Sequence, residues 1–525
     1  MNKRRATKSI HGANKGDTLN ANLYALLEAG FPADRGGCAI ESFDAKGRPL
    51  YYSWQDVDRA AARLANLLVS LQLPADARVA VQVDKSPEAL LLYLACLRAG
   101  CVFLPLNTAY QKGEIDYFLQ NAEPSLVVCA PKNASWIEPL AKKRKVATVL
   151  TLGDDRTGTL LQQAAPMPDT FKTVRRGPDD LAAILYTSGT TGRSKGAMLT
   201  HANLGSNAQT LQQYWRWRAG DVLLHGLPIF HVHGLFVATH GALLNGSKMI
   251  WLAKFDAKEM VRHLPRATVF MGVPTMYVRL LDEPAFTRKV ASAMRLFISG
   301  SAPLLADTFK QFEARTGQRI LERYGMSETV MLTSNPYDGN RMPGTVGLPL
   351  PGVEVRVTGE RGQALGYGVV GGVEVRGPNV FIGYWRMPEK TREEFTPDGF
   401  FKTGDVGRWD ANGYLTIVGR TRDLIITGGY NVYPKEIESY LDELDGVLES
   451  AVIGVPHRDF GESVAAVVVA KPGAVLSEES IIAQLRHAIA HFKVPRRVHI
   501  VKELPRNPMG KVQKNLLRDQ YAVNR

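Results

Sequence analysis

The chain has 525 residues, more than one hydrophobic core usually supports, so two or more domains are expected. Hydrophobic residues make up 45% of the sequence and charged residues 22%, as in a soluble globular enzyme, and no stretch approaches the roughly 20 apolar residues that a membrane span needs. The formal net charge of +13 suits polyanionic ligands, but only the first residues concentrate it, which argues against a nucleic-acid-binding protein.

The N-terminus and the cysteines bear on the cellular compartment. Residues 1–18 are basic and contain no apolar run, so a secretory signal is not expected; we favour a disordered, solvated tail, with an organellar transit segment as the alternative. The cysteines show no Cys-x-x-Cys spacing, which predicts neither a zinc site nor a disulfide framework; they are Cys38, Cys96, Cys101 and Cys129. A cytoplasmic, thiol-keeping location is therefore expected.

Helical and strand patterns alternate from residue 53 to residue 150. Helical spacing covers residues 60–71 and 89–99, and strands are predicted at 78–83, 102–105 and 125–130. The same alternation continues in predicted strands at 181–185, 222–225, 268–273 and 296–299. A mostly parallel α/β sheet arrangement is therefore expected.

The pattern changes after about residue 340, where Pro and Gly become frequent. Short strands are predicted at 353–357, 372–376 and 413–418. Beyond a charged joint at 420–423, strands at 424–426, 450–455 and 463–469 alternate with helices at 434–441 and 477–490. We therefore expect an α/β enzyme with a large N-terminal domain (19–421) of several subdomains, including a β-rich part, and a small α+β C-terminal domain (422–525).

The strongest local signal is the segment Tyr186-Thr-Ser-Gly-Thr-Thr-Gly-Arg-Ser-Lys-Gly196, which follows the predicted strand 181–185. Its glycines allow backbone N–H groups to turn inward as an anion nest, its hydroxyl side chains add donors, and Lys195 adds a charge. An ordinary flexible loop seldom combines so many donors with a lysine. The segment predicts a phosphate site, although no Gly-Lys-Ser/Thr follows four variable residues as in a Walker A loop.

A second interpretation of the same segment is a serine-hydrolase elbow. Gly192-Arg-Ser-Lys-Gly196 matches the pattern Gly-x-Ser-x-Gly, with Ser194 as the nucleophile. An elbow needs a strand immediately before the serine and a helix immediately after it. The preceding Ser-Gly-Thr-Thr-Gly run cannot continue a strand into the turn, so the hydrolase is kept only as an alternative.

Together with later motifs, this loop resembles the adenylate-forming superfamily of acyl-CoA synthetases, luciferases and peptide-synthetase adenylation domains. The later motifs stand in the family's order: Arg323-Tyr-Gly-Met-Ser-Glu-Thr329, Gly399-Phe-Phe-Lys-Thr-Gly-Asp405, Gly419-Arg420 and Pro505-Arg-Asn-Pro-Met-Gly-Lys511. Taken singly, Asp405 could be a turn residue and Lys511 a surface charge. Their order and spacing over residues 186–511 make coincidence negligible.

The resemblance assigns the nucleotide site residue by residue. It implies that ATP and AMP are bound by Thr187, Ser188, Gly189, Thr190, Thr191, Gly192, Lys195, Tyr324, Asp405 and Arg420. In that set Tyr324 packs on adenine, Asp405 holds the ribose hydroxyls and the loop holds pyrophosphate. It also implies that Glu328 holds Mg²⁺ and that Lys511 bridges the carboxylate substrate and the α-phosphate.

The resemblance further implies a reaction in two steps. A carboxylic acid is activated by ATP as an acyl-adenylate, and the thiol of coenzyme A then takes the acyl group. Arg422 would be the hinge about which a mobile C-terminal domain swings between the steps, and Gly428 and Gly429 would meet the pantetheine arm. Whether acylation of Lys511 regulates the enzyme is left open.

Two histidines in Phe230-His-Val-His-Gly234 allow two interpretations. His231 and His233 could be a metal pair, but no third ligand is apparent. In the family the position of His231 gates the channel for the acyl group and pantetheine, and we favour that role.

A tighter resemblance, from about Leu19 onward, is to malonyl-CoA synthetases, on the stretches Pro105-Leu-Asn-Thr-Ala-Tyr110, Ser299-Gly-Ser-Ala-Pro-Leu-Leu305, Ser334-Asn-Pro-Tyr-Asp-Gly339 and Asn431-Val-Tyr-Pro-Lys-Glu-Ile437. A dicarboxylate needs a cation in the acyl pocket, and Arg279 is the candidate. Pro274 fits the first turn of a helix that would project Arg279 one turn beyond Thr275 on the same face; a surface arginine is the alternative. Ser301 and Met326 would limit the pocket to malonate, with methylmalonate a further candidate.

Three alternatives stay open at this point: a short- or medium-chain acyl-CoA synthetase, an adenylation module that feeds a carrier protein, and the serine hydrolase that uses Ser194. Nothing like a phosphopantetheine attachment site follows Lys511, which counts against the carrier module. The expected ligands are malonate, ATP with Mg²⁺, and coenzyme A. No nucleic-acid partner is expected.

Overall fold

The structure is a computed structural model and describes residues 20–187, 194–427, 430–457, 460–507 and 510–522. Its strands are β1 (Cys38–Phe43), β2 (Pro49–Ser53), β3 (Arg78–Gln82), β4 (Val102–Pro105), β5 (Leu126–Cys129), β6 (Thr148–Thr151), β7 (Leu181–Thr187), β8 (Lys195–Thr200), β9 (Val222–His225), β10 (Lys248–Trp251), β11 (Val269–Gly272), β12 (Leu296–Ser299), β13 (Leu321–Tyr324), β14 (Thr333–Ser334), β15 (Leu348–Pro349), β16 (Glu354–Thr358), β17 (Gly371–Arg376), β18 (Phe401–Trp409), β19 (Leu415–Arg420), β20 (Ile425–Thr427), β21 (Tyr430–Val432), β22 (Val447–His457), β23 (Gly461–Ala470) and β24 (Arg497–Val501).

The α-helices are α1 (Leu23–Glu28), α2 (Trp54–Ser70), α3 (Pro87–Ala99), α4 (Lys112–Ala122), α5 (Ala134–Lys143), α6 (Thr159–Ala164), α7 (His201–Tyr214), α8 (His240–Leu244), α9 (Ala257–His263), α10 (Pro274–Asp282), α11 (Ala306–Thr316), α12 (Pro388–Glu394), α13 (Pro434–Asp442), α14 (Glu478–Ala488) and α15 (Lys514–Tyr521). A π-helix, His233–Thr239, precedes α8, and a 3-10 turn, Thr421–Asp423, follows β19. In the part of the chain that the structure describes, no helix is long and apolar enough to cross a membrane.

The first sheet has six strands in the order β6-β5-β3-β4-β7-β8. All neighbours are parallel except β7 and β8, which form an antiparallel pair. Helix α3 begins with the N-cap Ser86 and Pro87 and ends at Gly100, whose φ of 73° closes the helix in the left-handed region. The predicted strands and helices of this region are confirmed, and β7 and β8 bring the two ends of the phosphate-loop segment together.

The second sheet has nine strands in the order β15-β14-β13-β12-β11-β9-β10-β1-β2. Its centre, from β13 to β1, is parallel, and antiparallel strands close both edges. The carboxyl ends of β11, β12 and β13 are adjacent. Because ligands of open α/β sheets bind outside the carboxyl ends of parallel strands, the loops after these strands are the expected place for a site.

A separate antiparallel sheet, β16-β17-β18-β19, forms the predicted β-rich part. The strand predicted at 413–418 begins instead at Leu415. The reason is local, because the Asp410 carboxylate accepts the backbone N–H groups of Asn412 and Tyr414, and Gly413 has a φ of 79°. These contacts complete a turn, and the strand can begin only after that turn.

The C-terminal unit has its own sheet, β21-β20-β23-β22, with β24 parallel to β23. Helices α13 and α14 cover one buried cluster of this sheet, centred on Ile437 and Leu485, and α15 covers a second through Leu517. The mixed α/β class, with a large N-terminal domain and a smaller α+β C-terminal domain, is thus confirmed. The boundary near residue 422 stays a prediction, to which the hinge geometry below adds support.

Candidate active site

The predicted acyl-pocket residues lie in the loops after the adjacent strands β11, β12 and β13. Thr275 opens α10 just after β11, Ser301 follows β12, and Met326 follows β13. Ser301 has a φ of 72°, a strained conformation for a residue other than glycine, and its hydroxyl lies 3.3 Å from Nδ1 of His233. The sheet therefore brings Ser301, Met326 and the histidine segment together.

The predicted nucleotide residues form a hydrogen-bonded chain across two sheets. The Tyr324 hydroxyl at the end of β13 donates to Oδ2 of Asp405, and Oδ1 of Asp405 lies 2.9 Å from Nε of Arg420. Asp405 and Arg420 are opposite each other in the β18–β19 register, and Asp405 is only 3% exposed. The Asp405 carboxylate raises the pKa of Arg420. The arrangement keeps an aromatic ring, a carboxylate and a guanidinium at one fixed place, as ribose and adenine recognition requires.

Glu328 is buried and its carboxylate is held from two sides. Its Oε1 accepts the Tyr384 hydroxyl at 3.0 Å and the Thr187 hydroxyl at 3.4 Å, while its exposed fraction is 5%. Burial raises the pKa of Glu328. The side chains that donate to this carboxylate are neutral hydroxyls. A buried carboxylate of this kind fits a ligand of Mg²⁺, because a bound cation would favour its ionised form.

The two ends of the phosphate-loop segment lie on paired strands, with Thr187 at the end of β7 opposite Lys195 at the start of β8. The predicted residues Ser188, Gly189, Thr190, Thr191 and Gly192 lie outside the described residues. Nζ of Lys195 lies 3.5 Å from Glu394 of α12 and 4.3 Å from the centre of the Tyr384 ring. Lys195 is 7% exposed, so its charge is kept close to the Glu328 carboxylate in a largely dry site.

The surroundings of Ser194 do not form a nucleophile elbow. Strand β8 begins directly after Ser194, where an elbow needs a helix, and the Ser194 carbonyl accepts the Tyr117 hydroxyl at 2.7 Å. The order strand, serine, helix that exposes a nucleophile is therefore missing. The serine-hydrolase alternative is not supported.

His231 and His233 lie at the start of the π-helix. Burial, helped by the charges of Arg323 and Lys511, lowers the pKa of His231 to about 4, and burial and Arg323 lower that of His233 as well. Both rings are therefore neutral at physiological pH. No group of three His, Cys, Asp or Glu side chains that could hold a metal occurs among the described residues, so the interpretation as a metal pair gains no support.

The predicted catalytic-lysine loop reaches the N-terminal domain. A bridge between Arg506 and Val512 closes this loop, and the Lys511 N–H donates to Oδ1 of Asn507 at 2.9 Å. A Cβ placed on Gly510 would lie 3.0 Å from the Thr275 hydroxyl, so the loop contacts the start of α10. Burial, followed by the Arg420 charge, lowers the pKa of Lys511 to about 8. The lysine thus shares the site of Asp405, Arg420 and His231.

The lowered pKa of Lys511 predicts an alkaline limit on adenylation. The ammonium form exists below a pKa of about 8 and is lost as the pH rises through it, so kcat/KM for acid-dependent pyrophosphate release should fall above about pH 8. Thioester formation from supplied acyl-adenylate should instead rise over the same range, because the thiolate fraction of coenzyme A increases with pH. A parallel fall in both half-reactions would contradict this assignment.

The predicted hinge lies between two ion pairs that belong to different domains. Arg420 pairs with Asp405 of the N-terminal domain, whereas Asp423 accepts a hydrogen bond at 2.6 Å from Arg518 of α15 in the C-terminal unit. Thr421 and Arg422 lie between these anchors with exposed side chains. A rotation of the small domain can therefore be absorbed by the backbone of these two residues.

Substitution of Arg422 by proline tests this hinge. Proline fixes φ near about −65° and disfavours the helical region for Thr421, so the small domain should lose part of its rotation. We expect Arg422→Pro to slow thioester formation at least about 10-fold more than adenylation, an estimate that corresponds to about 1.4 kcal/mol. Arg422→Ala, which keeps backbone freedom, is the control. Equal effects of proline on both half-reactions would place the hinge elsewhere.

Gly428 and Gly429, the expected pantetheine contacts, lie outside the described residues. Arg279 lies on α10 one turn beyond Thr275, as expected, but its side chain is exposed. Its role as the cation of the acyl pocket stays a prediction.

The structure adds two residues that the sequence patterns did not single out. Tyr384 lies between Glu328 and Lys195, and Arg323 lies buried beside the histidines. Arg323 is part of the motif at 323–329 and could have been noticed as a charged residue in a strand that is otherwise expected to be buried. No local pattern marks Tyr384, which follows a short irregular segment.

The AMP-binding enzyme family model matches residues 39–385, and the model for the C-terminal domain of AMP-binding enzymes matches residues 436–511. The malonate–CoA ligase of Arabidopsis thaliana is 34% identical over 552 residues, which cover 95% of this chain and 89% of that protein. The crystal structure of ATP-bound MatB from Rhodopseudomonas palustris is 56% identical, with a TM-score of 0.93 over 96% of this chain and 99% of that one. For apo MatB, also 56% identical and covering 96% and 99% of the two chains, the TM-score is 0.82.

Proposed function

The chain belongs to the AMP-binding enzyme family, and from this we propose that it is an acyl-CoA synthetase that makes malonyl-CoA from malonate, ATP and coenzyme A, releasing AMP and pyrophosphate. The observation that carries the proposal is that Lys511 lies close to Asp405 and Arg420, which form hydrogen bonds with Tyr324 and with each other. This lysine comes from the C-terminal domain, so the site is assembled for adenylation. Malonate is favoured by the similarity to malonate–CoA ligase along almost the whole chain.

In the first step a carboxylate oxygen of the acid attacks the α-phosphorus of ATP, and the bond to the β-phosphate oxygen breaks with release of pyrophosphate. The obstacle is the approach of two anions, so charge stabilisation dominates. Lys511 holds the attacking carboxylate against the α-phosphate, and Lys195 lies at the pyrophosphate side. Mg²⁺, held by Glu328, supplies further positive charge to the phosphates when it is bound.

In the second step the thiol of coenzyme A attacks the acyl carbon, loses its proton and displaces AMP. Lys511 has no further task, because no carboxylate has to approach a triphosphate in this step. Rotation about Thr421 and Arg422 would withdraw the lysine loop from Thr275 and present the segment around Gly428 and Gly429 to the pantetheine arm. His231, neutral and next to Lys511 in the first state, is suited to gate this channel.

The preferred acid distinguishes a malonyl-CoA synthetase from a synthetase for another short- or medium-chain acid. Ser301 and Met326 are half-buried at the ends of β12 and β13, where they would limit the depth of the acyl pocket. We expect malonate to be the preferred substrate, methylmalonate to be accepted, and butyrate and longer fatty acids to react poorly.

A pyrophosphate-release assay with a panel of acids tests the function. The panel contains malonate, methylmalonate, butyrate and a long-chain fatty acid, each with ATP, Mg²⁺ and with or without coenzyme A. Malonyl-CoA should form with free coenzyme A as acceptor and with AMP as coproduct. Preference for a fatty acid would refute the malonate assignment, and hydrolysis of esters without ATP would refute the synthetase.

Two finer points remain proposals. Acylation of Lys511 would remove its charge, and the lowered pKa of about 8 leaves part of the amine neutral and nucleophilic near neutral pH, so the residue is suited to such regulation. A cytoplasmic location is proposed from the sequence, with an organelle as the alternative. Localisation of the full chain and of a variant without residues 1–18 would separate the two.

A further inference from the structure

Lys511 belongs to a loop, residues 506–512, whose two ends are tied together by backbone contacts; we call it the lysine loop. Arg506 and Val512 form a bridge between these ends, and the Asn507 N–H donates to the Lys511 carbonyl at 2.9 Å. The Gly510 N–H donates to the Asn507 carbonyl at 2.8 Å. Because the backbone of Lys511 takes part in these contacts, the orientation of the whole lysine loop decides where the lysine is placed.

One guanidinium attaches the lysine loop to the C-terminal sheet. Nη1 of Arg506 donates to the Gly510 carbonyl at 2.5 Å, and Nη2 donates to the carboxylate of Glu449 in β22. The pairing of β22 with β23 is irregular just before Glu449, and such a bulge re-aims the side chains next to it. Arg506 thus joins both ends of the lysine loop to the sheet.

The geometry of this contact fixes a direction as well as a distance. A guanidinium presents its donors in a rigid planar fork, so a carbonyl and a carboxylate on two of its nitrogens leave it little freedom to turn. The side chains of Arg506 and Glu449 are only 29% and 27% exposed, so water screens the ion pair less than it would screen two fully exposed charges. The pair is therefore suited to hold the loop in one orientation.

The orientation of the lysine loop matters at its contact with the N-terminal domain. A Cβ on Gly510 would lie 3.0 Å from the Thr275 hydroxyl, and the charges of Arg420 and Asp405 act on Lys511. A small rotation of the loop would move Gly510 against α10 or away from it, and it would displace the ammonium group. A misplacement of about 1 Å in a catalytic group can cost about 100-fold in rate, so this reaction requires the loop to be held firmly.

We propose that Arg506 and Glu449 are positioning residues, which hold the lysine loop in the orientation that places Lys511 for adenylation. The inference rests on the proposed function, because Lys511 has its task in that reaction. Arg506, Gly510 and Glu449 all belong to the C-terminal unit, so the ion pair travels with Lys511 when this unit rotates. Arg506 therefore acts through the lysine and not on a substrate, and it has no separate role in thioester formation.

The first measurement separates the two half-reactions in variants of this pair. Arg506→Met removes both contacts and should slow malonate-dependent exchange of pyrophosphate into ATP by about 30-fold or more, whereas thioester formation from supplied malonyl-adenylate should stay within about 3-fold of the wild type. Arg506→Lys keeps the charge without the fork, and Glu449→Gln keeps the contact with Gly510, so both should lie between the methionine variant and the wild type.

The same measurement contains its controls. Retained thioester formation shows that a variant folds, and Glu449→Gln provides the test if Arg506→Met does not fold. Arg497 forms a matched ion pair in the same unit, at 3.1 Å from Glu478 of α14 instead of with the lysine loop. Arg497→Met should therefore leave both half-reactions within about 2-fold of the wild type, as expected for the loss of an exposed ion pair.

A double-mutant cycle asks whether Arg506 acts through Lys511. In Lys511→Ala the lysine is absent, so its placement no longer matters, and addition of Arg506→Met should change the remaining exchange rate by less than about 2-fold. Two groups that act independently would instead give multiplied losses, with a further fall of about 30-fold. Multiplied losses, or equal losses of Arg506→Met in both half-reactions, would overturn the positioning role.

A failure of the proposed function gives a different result. A wild type without acid-dependent pyrophosphate exchange would refute the synthetase, and the positioning role with it. A wild type that activates an acid other than malonate would refute only the substrate, and the same variants then give the same comparison with that acid. A wild type that activates malonate while Arg506→Met behaves like Arg497→Met would refute the positioning role alone.

Discussion

Lys511→Ala is expected to lose adenylation by about three orders of magnitude or more, while thioester formation from supplied acyl-adenylate stays within about 5-fold of the wild type. The first value corresponds to about 4 kcal/mol of lost transition-state stabilisation. The asymmetry has a physical reason. Only the first step brings an unshielded carboxylate to a triphosphate, and Lys511 is the cation that the C-terminal loop places beside Asp405, Arg420 and His231.

The measurement separates the half-reactions. Adenylation is followed by malonate-dependent exchange of labelled pyrophosphate into ATP, and the second step by release of AMP from synthetic malonyl-adenylate and coenzyme A. Lys502→Ala, which removes an exposed lysine of the same domain, is the control. Comparable losses in both half-reactions would mean that Lys511 acts on something common to both, such as AMP binding.

Glu328→Gln is expected to lower kcat/KM for adenylation about 100-fold and to weaken the Mg²⁺ dependence of ATP binding. Glutamine keeps the size of the side chain and an oxygen that accepts the Tyr384 hydroxyl, so the substitution removes mainly the negative charge. A carboxylate is a far better ligand for Mg²⁺ than an amide, and the loss is in the range seen when one preorganised electrostatic contact is removed.

Two readouts check this prediction. Steady-state adenylation gives the loss in rate, and calorimetric ATP binding with and without Mg²⁺ gives the metal dependence without turnover. Tyr384→Phe removes only the hydroxyl contact and should cost less than about 10-fold. If Glu328→Gln binds ATP with the wild-type response to Mg²⁺, the metal ligand is another residue.

Much of the fold was predictable because its parallel strands are short apolar runs separated by helical spacing, as at 78–105 and 268–299. Residues that act through a motif were also predictable. Tyr324, Asp405 and Arg420 meet in one hydrogen-bonded chain, because β13 ends where the register of β18 and β19 places the charged pair. The order of their motifs along the sequence was sufficient to predict that these residues share a site, since the sheet topology fixes where the strands end.

The remainder depends on side-chain environment, which periodicity does not contain. The spacing from Thr275 placed Arg279 one turn further along α10, where the structure has it, but could not decide between a pocket cation and an exposed surface arginine. Conversely, the strand position of Arg323 gave no hint that its Nε and Nη2 atoms find no hydrogen-bond partner among the described residues, because its surroundings include Gly300, which is distant in the sequence. The π-helix was not predicted either, since its backbone pattern leaves no separate periodic signal over so few residues.

The position of Tyr384 has a consequence for the resting enzyme. Its hydroxyl contacts Glu328 and its ring faces the ammonium group of Lys195, so the phenol stands between two opposite charges that are both proposed to serve MgATP. Without this spacer the lysine and the glutamate could close into an internal ion pair, which the nucleotide would have to break before binding. In the structure Lys195 pairs instead with Glu394 of α12, at 3.5 Å, so Tyr384 keeps the Glu328 carboxylate out of an ion pair with this lysine before the substrate arrives.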